Sequence, residues 1–245
     1  ADWAINEAWS AVAGLRSSRV DFSVRDRFIN DSNPDDSGKL DFSATNPVFG
    51  VAWKVTPTLN TYANIGRGFE TPTLNELSYS GPDNSFGFEL KPATSEQIEI
   101  GLKARLAQAT SLQLALFQID TDDELVVESA SGGRSRFQNA AQTRRRGVEL
   151  ALESRLSDTL RANLAYTQID ATYSKDFTSN GRLIAEGNHL PGIPARTLYG
   201  ELAWQPVQWF STAVEGLYRS KLYVEDSNTA KAAPSHALFN WQARF

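Results

Sequence analysis

One pattern returns along most of this chain: apolar and polar side chains take turns over ten or more positions. Val148, Leu150 and Leu152 are interleaved with Glu149, Ala151 and Glu153, and Ile98, Ile100, Leu102 and Ala104 with Glu99, Gly101, Lys103 and Arg105. Leu160, Ala162, Leu164 and Tyr166 alternate with Arg161, Asn163 and Thr167, and Phe239, Trp241, Ala243 and Phe245 with Asn240, Gln242 and Arg244. A helix would set Leu150 almost opposite Val148 and Leu152, whereas a strand puts all three on one face. The period predicts about ten strands, near 9–28, 40–56, 59–69, 95–106, 111–127, 137–156, 159–174, 196–205, 209–225 and 236–245, and no convincing helix.

Two folds hide such strands. In a soluble sandwich the apolar face meets a core; in a transmembrane barrel it meets lipid while the polar face lines a wet lumen. Length favours the barrel. Many segments exceed the roughly five or six residues usual in globular sheets, and most reach the ~9–11 residues a tilted strand needs to cross a bilayer. The connections agree, because short ones (6–8, 56–58, 107–110, 157–158, 206–208) alternate with long Gly-, Pro-, Asn-, Asp- and Ser-rich ones (30–39, about 70–94, 129–136, about 175–195, 226–234). Outer-membrane barrels have short turns at one end and long loops at the other. The 6 tryptophans decide between the two folds. Trp3, Trp9, Trp53, Trp204 and Trp209 flank short turns, and Trp241 falls where the next would come. An indole ring is apolar with one donor, so a row of them suits one membrane interface; tryptophans of a sandwich core would spread along the strands. In the first strand the apolar parity switches between Leu15 and Val20, which predicts either a bulge or a strand that leaves the bilayer there.

Composition narrows the classes. Hydrophobic residues are 41% and the mean hydropathy is −0.38, with no apolar run near the ~18 residues of a spanning helix. The net charge of −5 argues against nucleic acid. With 0 Cys there is no disulfide framework or thiolate metal site. With 0 Met and no basic, apolar leader at Ala1-Asp2-Trp3, the chain reads as processed or as a piece of a longer one.

Four stretches carry a resemblance. "GRGFETPTLNEL" (66–77), "LKPATSEQIEIGLK" (90–103), "FQNAAQTRRRGVELAL" (137–152) and "GNHLPGIPARTLYGELAW" (187–204) resemble consecutive barrel motifs of TonB-dependent outer-membrane receptors, in that family's order. The resemblance implies an all-β, antiparallel transmembrane β-barrel, here about ten strands of a 22-stranded barrel. It implies a bacterial outer-membrane location, with outer-membrane lipid, a plug domain and TonB as partners, and uptake of a scarce solute: an iron–siderophore complex, haem, cobalamin or another. No plug domain and no TonB box are present, so residues 1–245 are expected to be an internal or C-terminal barrel segment lacking the plug and the last strands. The expected function is binding of a ferric siderophore for TonB-energised import, with no enzymatic activity, no cofactor and no metal site. Two alternatives stay open: a plugless passive pore, and a soluble all-β module binding, for example, carbohydrate.

Binding residues concentrate on loops held by a rigid scaffold. In the stretch 78–90, Tyr79, Phe86 and Phe88 stand among Gly, Ser, Asn and Asp, which suits a large hydrogen-bonding ligand, though these rings are as readily explained by packing on a neighbouring loop. Arg134 and Arg136 in "SGGRSRF" and Arg67 complete the candidates. Arg144, Arg145 and Arg146 form either a basic mouth that steers anions or, the plainer reading, partners for carboxylates of the plug or of neighbouring strands. The clustered carboxylates of "DTDDE" (120–124) lack the glycine and further ligands of a calcium loop, which leaves lumen or rim charge. Gly66-Arg67-Gly68 is followed by no helix pattern, so the glycines are read as a bend at the rim and not as a phosphate loop. His189 and His236 are the only histidines, and with no Cys no nucleophile–base set is evident.

Overall fold

The alternating segments become strands of one curved antiparallel sheet. The computed structural model describes residues 1–31, 33–81, 85–107 and 109–245. Ser32 of loop 30–39, Pro82-Asp83-Asn84 of the stretch 78–90 and Gln108 of the turn 107–110 lie outside the described residues. In chain order the elements are β1 (Asp2–Ala4), β2 (Trp9–Val24), β3 (Gly38–Thr56), β4 (Leu59–Glu70), α1 (Leu74–Leu77), β5 (Ala93–Ala107) and β6 (Thr110–Asp122). Then follow β7 (Leu125–Ser131), β8 (Arg134–Asn139), β9 (Gln142–Arg155), β10 (Leu160–Tyr173), β11 (Phe177–Ser179), β12 (Arg182–Ile184), β13 (Arg196–Val207), β14 (Phe210–Arg219) and β15 (His236–Arg244). The 11-stranded sheet runs β1-β2-β3-β4-β5-β6-β9-β10-β13-β14-β15 and is open, with β1 and β15 at its edges. β7–β8 and β11–β12 are separate hairpins beyond the long-loop end.

Register assigns the faces. Leu112, Leu114 and Leu116 lie opposite Leu152, Leu150 and Val148, and these stand opposite Leu164, Tyr166 and Gln168. Ile98 and Ile100 continue the row to Ile65 and Ala63 on β4. This face is apolar and open: Ile100 is 59% and Leu116 57% exposed. An apolar surface of that extent is not a water surface but a lipid-facing one. All six tryptophans are exposed. Trp9 and Trp53, directly opposite on β2 and β3, stack with centroids 5.3 Å apart.

The opposite face is polar and laced across strands. Asn163 Nδ2 donates to Glu201 Oε1 at 3.0 Å, and the Tyr199 hydroxyl stands 3.2 Å from Glu201 and 3.1 Å from Glu215. Asn240 Nδ2 closes the row on Glu215 at 2.9 Å. Glu149, Glu153 and Arg155 share this wet face, since they alternate with the leucines of β9.

Three expectations change. The predicted strand 111–127 divides at Asp123, whose left-handed backbone (φ 54) turns β7 out of the sheet, and 137–156 divides at the same level into β8 and β9. Residues 129–136, expected as a loop, are the tip of the β7–β8 hairpin, turned by Gly132 and Gly133 at φ 59 and 76, a conformation that glycine adopts without strain. The bulge alternative in the first strand fails, because β2 pairs with β3 without a break from Trp9↔Trp53 to Val24↔Gly38. Instead the dry side changes with height. Below Leu15 the outer face is apolar; above it Ser17, Arg19 and Asp21 face out, while Phe22 and Val24 pack against Leu77, Phe86 and Leu90.

Candidate functional site

Above the sheet the long loops build two small apolar cores of their own. In the first, Leu77, Phe86 and Leu90 pack with Phe22, Leu40, Phe88 and Phe137. The chain enters it through α1, a single turn begun by Thr73, whose hydroxyl accepts from Glu76 N while the Glu76 carboxylate accepts from Thr73 N at 2.7 Å. In the second, Ala140, Ala171, Tyr173, Ile184 and Leu190 pack with Val126, Ile169, Phe177 and Ile193. Short hydrogen bonds tie the loops together. Phe137 N donates to Ser80 Oγ at 2.9 Å, and the Asn139 side chain bridges Lys91 and Asp123.

A cleft of about 820 Å³ opens between the β7–β8 and β11–β12 hairpins and the loop 220–235. Its floor is a polar network. Arg145 grips Glu124 with two nitrogens, at 2.7 and 3.0 Å, and Thr143 donates to the same carboxylate at 2.9 Å. The Tyr173 hydroxyl donates to Asp226 Oδ1 at 2.7 Å. Burial raises the Asp226 carboxyl above the usual range, against the lowering pull of the Tyr173 hydroxyl. Beside it the Glu225 carboxylate receives N–H groups from Ala230 (2.9 Å), Ser227 (2.8 Å) and Thr229 (2.7 Å). These bonds, the one from Ala230 foremost, hold it at about 2.

The structure places the candidate residues in three settings. Tyr79 and Arg134 meet: the guanidinium carbon sits 4.4 Å from the ring centroid, and Tyr79 holds a left-handed backbone at φ 67. A left-handed non-glycine residue costs about 1–2 kcal/mol, and a cation over an exposed ring returns about 0.5–1 kcal/mol. Arg136, on the same hairpin, sets Nε 2.8 Å from Glu128 Oε2, angled as an ion pair and not as a hydrogen bond. Phe86 and Phe88 form a tilted pair 4.9 Å apart inside the loop core beneath Tyr79's segment. Arg67 stands apart from the other five. It shares the lipid-facing parity of Ile65 and binds Glu96 on β5 through Nε at 2.9 Å.

The three consecutive arginines each hold a neighbouring carboxylate: Arg144 Asp120, Arg145 Glu124 and Arg146 Asp170. Alternation turns only Arg145 inward. The acidic run 120–124 is thereby divided among different partners, and among the described residues no group of three or more His, Asp or Glu has a metal-binding arrangement. Tyr173, Glu225 and Asp226 escaped sequence reasoning, and Glu124 was read only as one of the lumen or rim charges of 120–124. The Gly132-Gly133 and Asn180-Gly181 turn pairs were the available signal for the hairpins that bring these residues together.

Comparison with known proteins places this geometry. Residues 1–245 match the family model "TonB dependent receptor-like, beta-barrel". The metal-pseudopaline receptor CntO of Pseudomonas aeruginosa (strain UCBPP-PA14) is 26% identical over 191 residues, 77% of this chain and 25% of that protein. Among solved structures, the copper transporter OprC superposes with a TM-score of 0.76 at 16% identity, over 99% of this chain and 38% of its own. The ferric yersiniabactin uptake receptor FyuA of Yersinia pestis gives 0.76 at 18% identity, over 99% and 36%. The chain therefore spans a quarter to under two-fifths of the length of the proteins it matches.

Proposed function

We propose, from the premise that this chain belongs to the TonB-dependent receptor β-barrel family, that it supplies the wall and part of the mouth of a receptor importing a metal chelate, a ferric siderophore before others. The family lies in the outer membrane and consists of transport receptors, not enzymes. The observation that carries the proposal is the 820 Å³ cleft between outer hairpins that have their own packed cores. Such a volume suits a chelate-sized ligand, since small-molecule sites run from roughly 300 to 1,000 Å³. Its exposed Arg182 and the backbone groups of its rim offer donors to an oxygen-rich anionic ligand, while Arg145 and Tyr173 are held by Glu124 and Asp226 and fix the floor. Tyr79, Arg134 and Arg136 flank the approach as first contacts, and Phe86 and Phe88 stiffen the segment that presents Tyr79. The chelate leaves through the polar lumen past a plug, with energy from TonB. The receptors CntO and FyuA, named for metal-pseudopaline and ferric yersiniabactin, bracket the same ligand class.

The test is equilibrium binding to the full-length receptor of ferric hydroxamate, catecholate and phenolate siderophores, with haem, cobalamin and copper ion as competitors. A ferric siderophore is expected to bind, and Arg134→Ala to weaken it about three- to tenfold. Binding of haem, cobalamin or copper ion alone would overturn the siderophore reading.

A further inference from the structure

The cleft above the sheet has one set of polar groups without partners, and they belong to the backbone. Every residue from Glu124 to Ala130 lines it. A strand that turns a face to a cleft lines it with every second residue, so an unbroken run means that β7 presents its edge. Its faces are taken: Leu125 packs toward the first loop core and Val126 toward the second. β7 pairs with β8 alone, and the far edge of β8 is covered, since Phe137 N donates to Ser80 Oγ at 2.9 Å.

That bond fixes which groups of β7 are open. Phe137, whose N–H points away from the hairpin, stands opposite Val127. Ala140 N, one step below the Leu125↔Asn139 pair, donates across the hairpin to the Glu124 carbonyl at 2.6 Å. Bonded and non-bonded positions alternate along an antiparallel pair. Leu125 and Val127 therefore hold non-bonded positions and turn their N–H and C=O groups away from β8, into the cleft. Among the described residues no hydrogen bond reaches these groups. The side chains nearby have partners: Arg145 holds Glu124, Tyr173 holds Asp226 and Arg136 holds Glu128. Arg182, exposed and 3.5 Å from Ser227 Oγ, is left to meet a charge. The rest of the wall carries Ile184, Ile193 and Val224.

We propose that the imported chelate carries a linear peptide segment, which lies extended along β7 as an added strand, with the anionic metal-binding end at Arg182. The proposal rests on the reading of this chain as part of a metal-chelate receptor and narrows the ligand to a peptidic one. A donor and an acceptor repeated every two residues, about 6.6 Å apart, are the complement of another backbone. A ligand of anionic oxygens alone would set those oxygens against the carbonyls of Leu125 and Val127. The bulge between Val127 and Ser129 ends the regular edge, so the paired stretch is about four residues, roughly 13 Å. Its side chains alternate, one set lying on Ile184, Ile193 and Val224 and the other turned to water.

The test uses the full-length receptor and a ferric trihydroxamate extended by a Ser-Val-Ser-Val tail, read by equilibrium binding and by hydrogen exchange. Removing the tail is expected to weaken binding at least about tenfold. Methylating the tail amides one at a time weakens it about fivefold at alternate positions and not between them, because every second N–H faces β7. The Leu125 and Val127 amides exchange more slowly once the tailed chelate binds, and not with the tail-less one. Val127→Pro removes an N–H that β8 does not use and weakens the tailed chelate about fivefold. Arg182→Gln weakens both chelates. Equal binding with and without the tail, or a methylation series with no period of two, would overturn the added strand, while the receptor reading stands if Arg182→Gln weakens either chelate. If no ferric chelate binds, both readings fall. Leu125 and Val127 amides already protected in the free receptor, as an edge shared with a second copy leaves them, would also overturn the proposal.

Discussion

Replacing Leu150 by arginine separates the two faces of the sheet by energy. Leu150 stands opposite Leu114 on β6 and Tyr166 on β10, in the middle of the apolar row. Arg146, at the polar edge, is four residues above it on β9, which at about 3.3 Å per residue and 40° of tilt is about 10 Å. Half of a 25 Å band is about 12 Å, so position 150 lies within a few ångströms of the bilayer midplane. An arginine facing lipid at that depth costs about 2–4 kcal/mol, or roughly thirty- to a thousandfold in the folding equilibrium. At the next residue, Ala151, the side chain points to the wet face, and Ala151→Arg is expected to cost less than about 1 kcal/mol. Guanidinium unfolding in phosphatidylcholine vesicles, followed by tryptophan fluorescence of the full-length receptor, measures both. Equal costs at the two positions, or the larger one at Ala151, would refute the assignment of lipid to the leucine face.

Three further outcomes follow from the loops. Arg145→Ala strands a Glu124 carboxylate that is only 20% exposed, and should destabilise the β7–β8 hairpin by ~2 kcal/mol in hydrogen exchange, whereas Arg145→Met with Glu124→Leu recovers most of the loss. An added Cβ at Gly38 runs into the Phe88 ring, so Gly38→Ala should cost about 1–3 kcal/mol and speed proteolysis within 71–92. Glu225, depressed to about 2, contributes stability that is complete above its ordinary 4.5 and fades as pH falls toward 2. Asp226, raised by burial, acts in the opposite sense: its contribution is full below 3.8 and is lost as pH rises through its folded value. Acid should therefore release the amides of Thr229 and Ala230 in hydrogen exchange, and Glu225→Gln should remove that acid-dependent step.

The sheet was legible because lipid on one side and water on the other write a period of two directly into β9, β5 and β10. The tryptophans added which end was which. Legibility stopped where the strands left the bilayer. There the dry side moves inward, so Val20, Phe22 and Val24 break the parity that Ala11, Ala13 and Leu15 had set. The hairpins β7–β8 and β11–β12 have water around them and no enforced alternation, and only their Gly-Gly and Asn-Gly tips spoke for them. The polar network was unreadable for a different reason. Arg145 and Glu124 are 21 residues apart and Tyr173 and Asp226 are 53, and only the register across β6, β9 and β10 brings them together. Among the candidates, Tyr79 and Arg134 meet in space, whereas Arg67 looks out from the wall because it falls on the parity of Ile65.

The indoles of the belt are bound to their own surroundings as well as to the interface: Trp9 lies flat on Trp53, and Trp241 Nε1 donates to Thr212 Oγ1 at 2.9 Å. Indoles fastened in this way keep their height on the wall when the surrounding lipids change, so the sheet that carries them stays at one level. From Leu116, the last leucine of β6, the strand climbs six residues to Asp122, a rise of about 15 Å at strand geometry, before the β7–β8 hairpin begins. The altitude of the mouth is thus set from the far end of the barrel, and a passing solute meets it clear of the membrane's surface layer.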